Sequence, residues 1–488
     1  MGAVEKSRGV TLSYAGMTRI RFRGQGLASQ SQPDYRLPQV HTVKVETSAR
    51  FGKGRASRPA VASWPWCGLK YCMRTHPWTI TTLNEAGFGM GQTGGQFVAV
   101  ARTAPGDVVV TGPPASRERW THAPLVQVVK PGPDRVTPPC PAFEKGCGGC
   151  QWQHLSYPAQ TAWKEKTLAG VLRGRGGFTG RLNALVPSPT EGYRNKLSLK
   201  NENGRAVFVP EFEGTLSPAE CRVQTAALQK AWAFLRTQRL PRGVDQLHLR
   251  SNEQGQVGVH VFANRHGTSG FEILRLIPGF VGAGVTLAGG GTYQVWGGEA
   301  YLKQTVTLAG GRQVSYLVPH NGFFQTNEAQ ASALLNVVRR EAGQKGRLLD
   351  LYCGSGFFAL ALADLFDEVV GIEVNTQSVE AARQSALLSG VTKAQFLAGD
   401  LGPVLAQLGR SKDEVAVIDP PREGLLPQAL AALTERAPRR LVYVSCYPVA
   451  LARDLKRLAA AGWKARSCSP VDMFPHTSHV EAVLTLER

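Results

Sequence analysis

Residues 441–448, LVYVSCYP, carry a β-branched apolar run, Leu441, Val442 and Val444, that predicts a buried parallel strand ending at Ser445-Cys446. Tyr447-Pro448 then turns the chain into the helical pattern VALARDLKRLAAAG. The same alternation of apolar run, turn and helical period recurs upstream in GRLLDLYCGSGFFALALA, EVVGIEVN, AQFLAGD and EVAVIDPP. It predicts a doubly wound, Rossmann-like α/β sheet over residues 336–488. From Trp78 to residue 138 the period is shorter. WTITTLNEAGFGMG, GGQFVAVARTAPGDVVVTGPP and WTHAPLVQVVKP read as brief strands cut by Gly and Pro, the pattern of a five-stranded small barrel of the OB type. Between the two lies a helix beginning in QWQHLSYPAQTAWKEKTLAGVLRG. From about residue 185 alternating, Gly-rich segments follow (YRNKLSLK, RAVFVPEF, QLHLRSNEQGQVGVHVFA, GTYQVWG) and predict a mainly antiparallel β domain. The expected organisation is an unpatterned extension at 1–76, a barrel at 77–138, a central domain at 139–335 and an α/β domain at 336–488.

Charge sharpens this picture. The 488 residues hold 56 Lys and Arg against 36 Asp and Glu, a net charge of +20, which points to a polyanionic partner. Residues 1–76 alone carry thirteen basic and three acidic residues and no apolar period, the composition of a disordered segment; either they form an RNA-binding tail or translation starts at Met73. Cys67 and Cys72 in that segment have no second ligand pair nearby. No run of about 18 apolar residues exists, so no transmembrane helix is expected, and the N-terminus lacks a signal core. Nine cysteines, an odd and uneven set, suit a reducing, cytoplasmic setting and metal or catalytic use better than disulfides.

Three places offer chemistry. Cys140, Cys147 and Cys150 form a C-x6-C-x2-C run with glycines between them, a metal signal. Zinc would take His154 as a fourth ligand, and an iron–sulfur cluster would take a thiolate, Cys221 being the available one. Asp350 closes a strand before Gly354 and Gly356, and Glu373 ends the next strand nineteen residues after Gly354, where a Rossmann-type fold grips ribose hydroxyls. The turn lacks the third glycine that a dinucleotide pyrophosphate needs, so S-adenosylmethionine is favoured over NAD. Finally Asp419 in DPPRE, Cys446 and Glu481 all fall at strand ends on the ligand-binding edge. Each alone reads equally well as an ordinary strand-end residue; together they make a reaction. Tyr193-Arg194-Asn195-Lys196, an aromatic beside cations, suits either a nucleic-acid face or a solvated strand.

The motifs CGSG, DPPREGL, YVSCYP with LARD, and DMFPHTSHVE resemble the RNA uracil-5-methyltransferase family, and the likeness runs from residue 77 to 488. The LNEAGFG turn and APGD resemble the TRAM domain, a small RNA-binding barrel. The resemblance implies a [4Fe–4S] cluster on Cys140, Cys147, Cys150 and Cys221. It implies S-adenosylmethionine contacts from Gln325, Tyr352, Gly354, Gly356, Glu373 and Asp400. It also implies Asp419 at the cofactor–uracil junction, Cys446 as nucleophile and Glu481 as base. It further implies that the helix after Cys150 packs on the methylase domain. The expected target is 23S ribosomal RNA, with tRNA as the alternative, and no obligate protein partner is evident. Three positions depart from the family pattern: Phe357 stands where a small polar residue is usual, Tyr447 where Asn follows the nucleophile, and the first cysteine loop is one residue longer.

Such chemistry has a clear logic. C5 of uracil is too poor a nucleophile to attack a sulfonium methyl unaided, and thiolate addition at C6 loads electron density onto it. The thiol is therefore expected to have a locally lowered pKa. Cytosine-C5 methylases lack this motif set. A catalytically silent RNA-binding factor would not need every chemical residue, and all are present.

Overall fold

The computed structural model describes residues 77–488 apart from 94, 118–119, 211, 213–216, 265 and 289–292; the basic extension at 1–76, with Cys67 and Cys72, lies outside the described residues. The described residues belong to one compact unit. No helix among the described residues is long and apolar enough to cross a membrane.

The C-terminal half builds an eight-stranded sheet. Its order is Ala394–Ala398, Glu368–Glu373, Arg347–Leu351, Glu414–Ile418, Arg440–Ser445, Glu481–Glu487, Lys464–Val471 and Arg181–Leu182. The first five run parallel, and Glu481–Glu487 is antiparallel to both its neighbours. Glu414–Ile418 is buried throughout, and only Arg440 of Arg440–Ser445 is not; helices pack on both faces and remove the need for alternation. Arg347–Leu351 and Glu414–Ile418 are adjacent, the switch point where such sheets bind ligands.

Two pieces of this layer come from far upstream. The helix Tyr157–Gly176, capped by Ser156, lies along the helix Pro448–Ala460, and a β-carbon on Gly176 would sit 3.1 Å from the Ala452 carbonyl oxygen. The two-residue strand Arg181–Leu182 then pairs in parallel with Ser467 and Cys468. Lys164 of that helix forms an ion pair with Asp472 at 2.6 Å, both side chains fully buried. The Lys164 ammonium also donates to the Phe474 carbonyl at 2.9 Å, and the Tyr157 hydroxyl donates to Asp472 at 2.9 Å. Removing one partner of such a pair leaves an uncompensated buried charge. Lys164→Met should cost about 3–5 kcal/mol in denaturant unfolding, and adding Asp472→Leu should recover a large part of that loss. Equal costs for the single and double variants would show that the pair is only a packing contact.

Residues 78–130 form one seven-stranded sheet rather than the five strands expected. Its order is Ala115–Arg117, Trp120–His122, Gln96–Val100, Gly89–Thr93, Trp78–Leu83, Val108–Thr111 and Leu125–Lys130. The two extra strands are three residues each, too short to announce a period. Gly87 has a φ of +88°, and a β-carbon there would meet Ser478 at 2.9 Å; the tight approach brings this sheet's turn against the loop before Glu481. The central region holds a mainly antiparallel six-stranded sheet, as the alternation predicts, with one parallel pair, Val257–Ala263 with Phe280–Leu287. A separate hairpin, Tyr301–Thr307 with Gln313–Pro319, follows it. The helix Glu328–Ala342, capped by Asn327, runs through residue 336.

Candidate active site

The parallel strands of the large sheet end together on one edge, and the sequence places a polar group at each end. Glu481–Glu487 runs the opposite way. Its register, Ala482 opposite Ser445, brings its first residue to that same edge beside Cys446. Asp419 follows the neighbouring strand Glu414–Ile418. The three groups expected to do chemistry therefore meet, close enough to perturb one another's protonation. Burial pushes the Cys446 thiol up to about 12, Glu481 and Asp419 add to the effect, and Arg422 opposes it. Burial likewise raises Asp419 to about 7 and lifts Glu481 well above the carboxylate range, with Asp419 adding to it and Arg422 opposing. The expected lowering of the thiol pKa is thus corrected: burial first, and two acidic neighbours after it, outweigh one cation. The shift favours the thiol over the thiolate at rest.

Arg422 is the residue that pattern reading undervalued. It was legible as the cation after Asp-Pro-Pro, but its place was not. Its guanidinium lies 5.9 Å from the Tyr447 ring centre and its Nη2 is 3.4 Å from Nδ1 of His479. The LARD motif explains how the loop is held. Asp454 of the helix Pro448–Ala460 accepts from the Leu425 N–H at 2.7 Å and the Tyr443 hydroxyl at 2.9 Å, tying the loop after Asp419 to the strand that carries Cys446.

The first strand ends at Asp350-Leu351-Tyr352 and turns at Gly354 and Gly356. Gly354 has a φ of +54°, and no atom lies within 4 Å of where its β-carbon would stand, an open cradle beside the backbone. Its N–H donates to Glu373 Oε2 at 3.2 Å, while Glu373 Oε1 accepts from the Asn375 N–H at 2.8 Å, so the carboxylate is aimed along the turn. Tyr352 takes a φ of 67° to let its N–H donate to the Ile372 carbonyl at 3.0 Å. Asp400 is exposed at the start of the helix Leu401–Gln407 without capping it, one strand beyond Glu373. Burial raises Asp350 to about 7, with Asp419 and Glu373 adding to it, and Asp350 Oδ1 has no partner. Burial raises Glu373 as well. An edge crowded with carboxyl groups fits a ligand with a sulfonium and an ammonium, which would supply the missing positive charge. Phe357, where the family pattern is polar, packs its ring against Tyr316, Phe324 and Phe358.

Gln325 is buried in a loop that the central sheet holds in place. The Asn195 side-chain amide donates to its carbonyl at 3.2 Å, and Arg250 donates to Phe324 and Gly322 carbonyls at 3.0 and 3.2 Å. The loop before Glu481 is clamped similarly. Gln151 and Trp152 N–H groups both donate to the His476 carbonyl at 2.9 Å, and the Tyr193 hydroxyl donates to the Pro475 carbonyl at 2.9 Å. Cys140, Cys147, Cys150 and Cys221 gather in one cluster with Phe143, Tyr193 and Val223. Burial pushes the thiols of Cys150 and Cys221 up to about 12 and about 11. No group of three or more metal-binding side chains at ligand spacing occurs among the described residues. His154 is buried, stacked on Phe143 at 5.8 Å.

With this geometry in view, a family profile described as tRNA (Uracil-5-)-methyltransferase matches residues 290–398 and 406–488. An uncharacterised RNA methyltransferase of Gloeobacter violaceus is 32% identical over 443 residues, covering 84% of this chain and 95% of its own length. Another, of Nitratidesulfovibrio vulgaris, is 32% identical with the same coverage of both chains. The chain belongs to the RNA uracil-5-methyltransferase family. It is an S-adenosylmethionine-dependent RNA methyltransferase. The solved structure of Pyrococcus abyssi tRNA (uracil-54, C5)-methyltransferase in complex with S-adenosyl-L-homocysteine is also similar to this methyltransferase. It is 25% identical, covers 84% of this chain and 100% of its own, and superimposes with a TM-score of 0.67.

Proposed function

We propose that this enzyme methylates C5 of a specific uridine in 23S ribosomal RNA. The observation that carries the chemistry is the meeting of Cys446, Asp419 and Glu481 at the edge where the glycine turn opens. S-adenosylmethionine supplies an electrophilic methyl group, and Gln325, Tyr352, Gly354, Gly356, Glu373 and Asp400 are the residues that would hold it. The minor fraction of Cys446 that has lost its proton to solvent adds as the thiolate to C6 of the uracil, forming an S–C6 bond and sending the C5–C6 electron pair into an enolate. Asp419 orients the polar edge of the ring. Once C5 bears the methyl, Glu481 in its ionised form removes the remaining C5 proton, and burial, which raises its pKa, makes it the stronger base; the C5–C6 double bond returns and the thiolate leaves. The uridine must leave its stack to reach this buried pocket, at a cost of a few kcal/mol. The small N-terminal sheet, read as a TRAM-type barrel, and the basic charge of the chain supply contacts that offset it.

The ribosomal assignment rests on the barrel and cysteine cluster occurring together. The tRNA substrate named for the Pyrococcus neighbour is the second reading. Treating unmethylated 23S ribosomal RNA and unmethylated bulk tRNA separately with the protein and mapping 5-methyluridine by mass spectrometry distinguishes them. A product in tRNA alone reverses the assignment.

Cys140, Cys147, Cys150 and Cys221 would hold the [4Fe–4S] cluster. The four thiols share one apolar cluster with Phe143 and Tyr193, the donor type such a group takes, although they do not stand at ligand spacing among the described residues; ligation would draw them together and relieve the burial cost of the thiolates. Anaerobically purified protein should be brown, with about four irons per chain. Cys221→Ser should lose both colour and solubility. Stoichiometric zinc instead would overturn the cluster assignment.

A further inference from the structure

The six-stranded central sheet has two unlike faces. Leu247, Leu249, Val257, Val259 and Val261 pack with the helix Ala226–Leu235 and the turn Phe271–Leu276 into one apolar core. Strand alternation sends Gln246, His248, His260 and Phe262 to the opposite side. There the rings are continuous. His248 lies 4.9 Å from Phe262, His260 lies 4.3 Å from Phe262, and Tyr293 lies 6.0 Å from His260. His248 and Phe262 keep part of their rings in solvent. His260 Nε2 is 3.0 Å from the Thr286 hydroxyl, which fixes the ring beneath them. The adjoining strand adds cations: Lys200 opposes Gln246 and Lys196 opposes Arg250 in the register, with Ser198 opposite His248 between them. Lys200 is in a surface ion pair with Glu202 at 2.6 Å.

This face leads directly to the catalytic edge. Arg250 at its end donates to the carbonyls of Gly322 and Phe324, the residues before Gln325. Asn195, next to Lys196, donates its side-chain amide to the Gln325 carbonyl at 3.2 Å and its backbone N–H to the Thr326 carbonyl at 2.9 Å. Burial, aided by Lys196 and Arg250, holds His248 down at about 4, so its ring is neutral at physiological pH and the positive charge belongs to the lysines. Half-exposed π-faces interleaved with ammonium groups and hydroxyls suit unpaired nucleotides, whose bases stack while their phosphates pair with cations. The core of a protein–protein interface is depleted in lysine, whereas here Lys196 and Lys200 flank the rings.

We propose that this face of the central sheet is the platform on which single-stranded RNA flanking the target uridine is laid, with Phe262 and His248 stacking bases and Lys196 and Lys200 meeting phosphates. The proposal rests on the reading of the enzyme as an RNA uridine methylase, and the test separates the two. Anisotropy of a labelled single-stranded RNA oligonucleotide of mixed sequence is measured with the full chain, alongside its affinity for S-adenosylhomocysteine. Phe262→Ala should weaken RNA binding about 10-fold or more, with cofactor affinity unchanged, and Phe262→Trp should restore it. Lys196→Gln and Lys200→Gln should each make the log–log salt dependence shallower by about 0.7. If Phe262→Ala loses cofactor affinity as well, the Phe262→Trp variant decides: restored folding without restored RNA binding overturns the platform. RNA affinity unaltered by both Phe262→Ala and His248→Ala overturns it too, and leaves the face to a protein or an RNA duplex. The binding measurement needs no turnover. A wild-type protein whose RNA affinity depends on Phe262 but which never methylates uracil would remove the functional reading and leave this surface standing.

Discussion

Cys446→Ala should reduce methyl transfer to RNA about 10⁴-fold or more while leaving S-adenosylhomocysteine affinity unchanged. The separation follows from position. Cys446 stands at the end of Arg440–Ser445, two strands from the glycine turn that fits the cofactor, with Glu414–Ile418 between. Without the thiol nothing activates C5, because Asp419 and Glu481 are acidic groups that can orient or accept but cannot add to C6. The pH dependence provides a second readout. Since burial and its two acidic neighbours push the thiol up to about 12, the thiolate is a minor species at neutral pH. Adduct formation by the wild-type enzyme should therefore climb with pH, approaching tenfold per unit, until another step limits it. Substantial turnover by the alanine variant on the mapped RNA would remove Cys446 from the reaction.

Glu481→Gln should act later and leave a different trace. Addition and methyl transfer go forward, but no group takes the C5 proton, so the enzyme stays joined to its RNA through the S–C6 bond. A band of enzyme plus RNA should persist in denaturing gels, labelled when the methyl group is labelled, with multiple turnover lost. The substitution is nearly isosteric and removes a carboxyl group that burial already raises well above its ordinary range, so folding should tolerate it. Normal turnover without an adduct would make Glu481 an ordinary strand residue.

Much of the catalytic layer was legible in the sequence because buried parallel strands are written as apolar runs that stop at polar residues. LLDLY, VVGIE, VAVID and LVYVSC each end on the edge where the site assembles. Glu481 was legible in identity, but its place beside Cys446 depends on an antiparallel register that no local pattern encodes. The strand Arg181–Leu182 could not be read at all, since two residues have no period and their partners, Ser467 and Cys468, lie 286 positions later. The same limit hid the two short strands in the first sheet. The direction of the Cys446 shift was misread for another reason: mechanism says what a thiolate needs, whereas the resting protonation state depends on which charges fold beside it. The alternation in QLHLRSNEQGQVGVHVFA did predict two strands. That its His248, His260 and Phe262 would line up with Tyr293 of a later strand into one surface required the register of the neighbouring strands.

The upstream helix and strand in the catalytic layer set a lower limit on any excised version of this enzyme. A gene fragment covering only residues 336–488 would leave Lys464–Val471 as a bare outer strand, open to pairing between copies. It would also strip Leu168 and Leu172 from the apolar cluster they share with Leu451 and Leu455, and leave Asp472 without Lys164. The smallest piece that closes its own layers starts by residue 157, and the central region cannot be cut out of it either: the hairpin Tyr301–Thr307 with Gln313–Pro319 buries Val306, Val314, Tyr316 and Val318 against Leu348 and Phe358, and Asn195 and Arg250 hold the loop of Gln325.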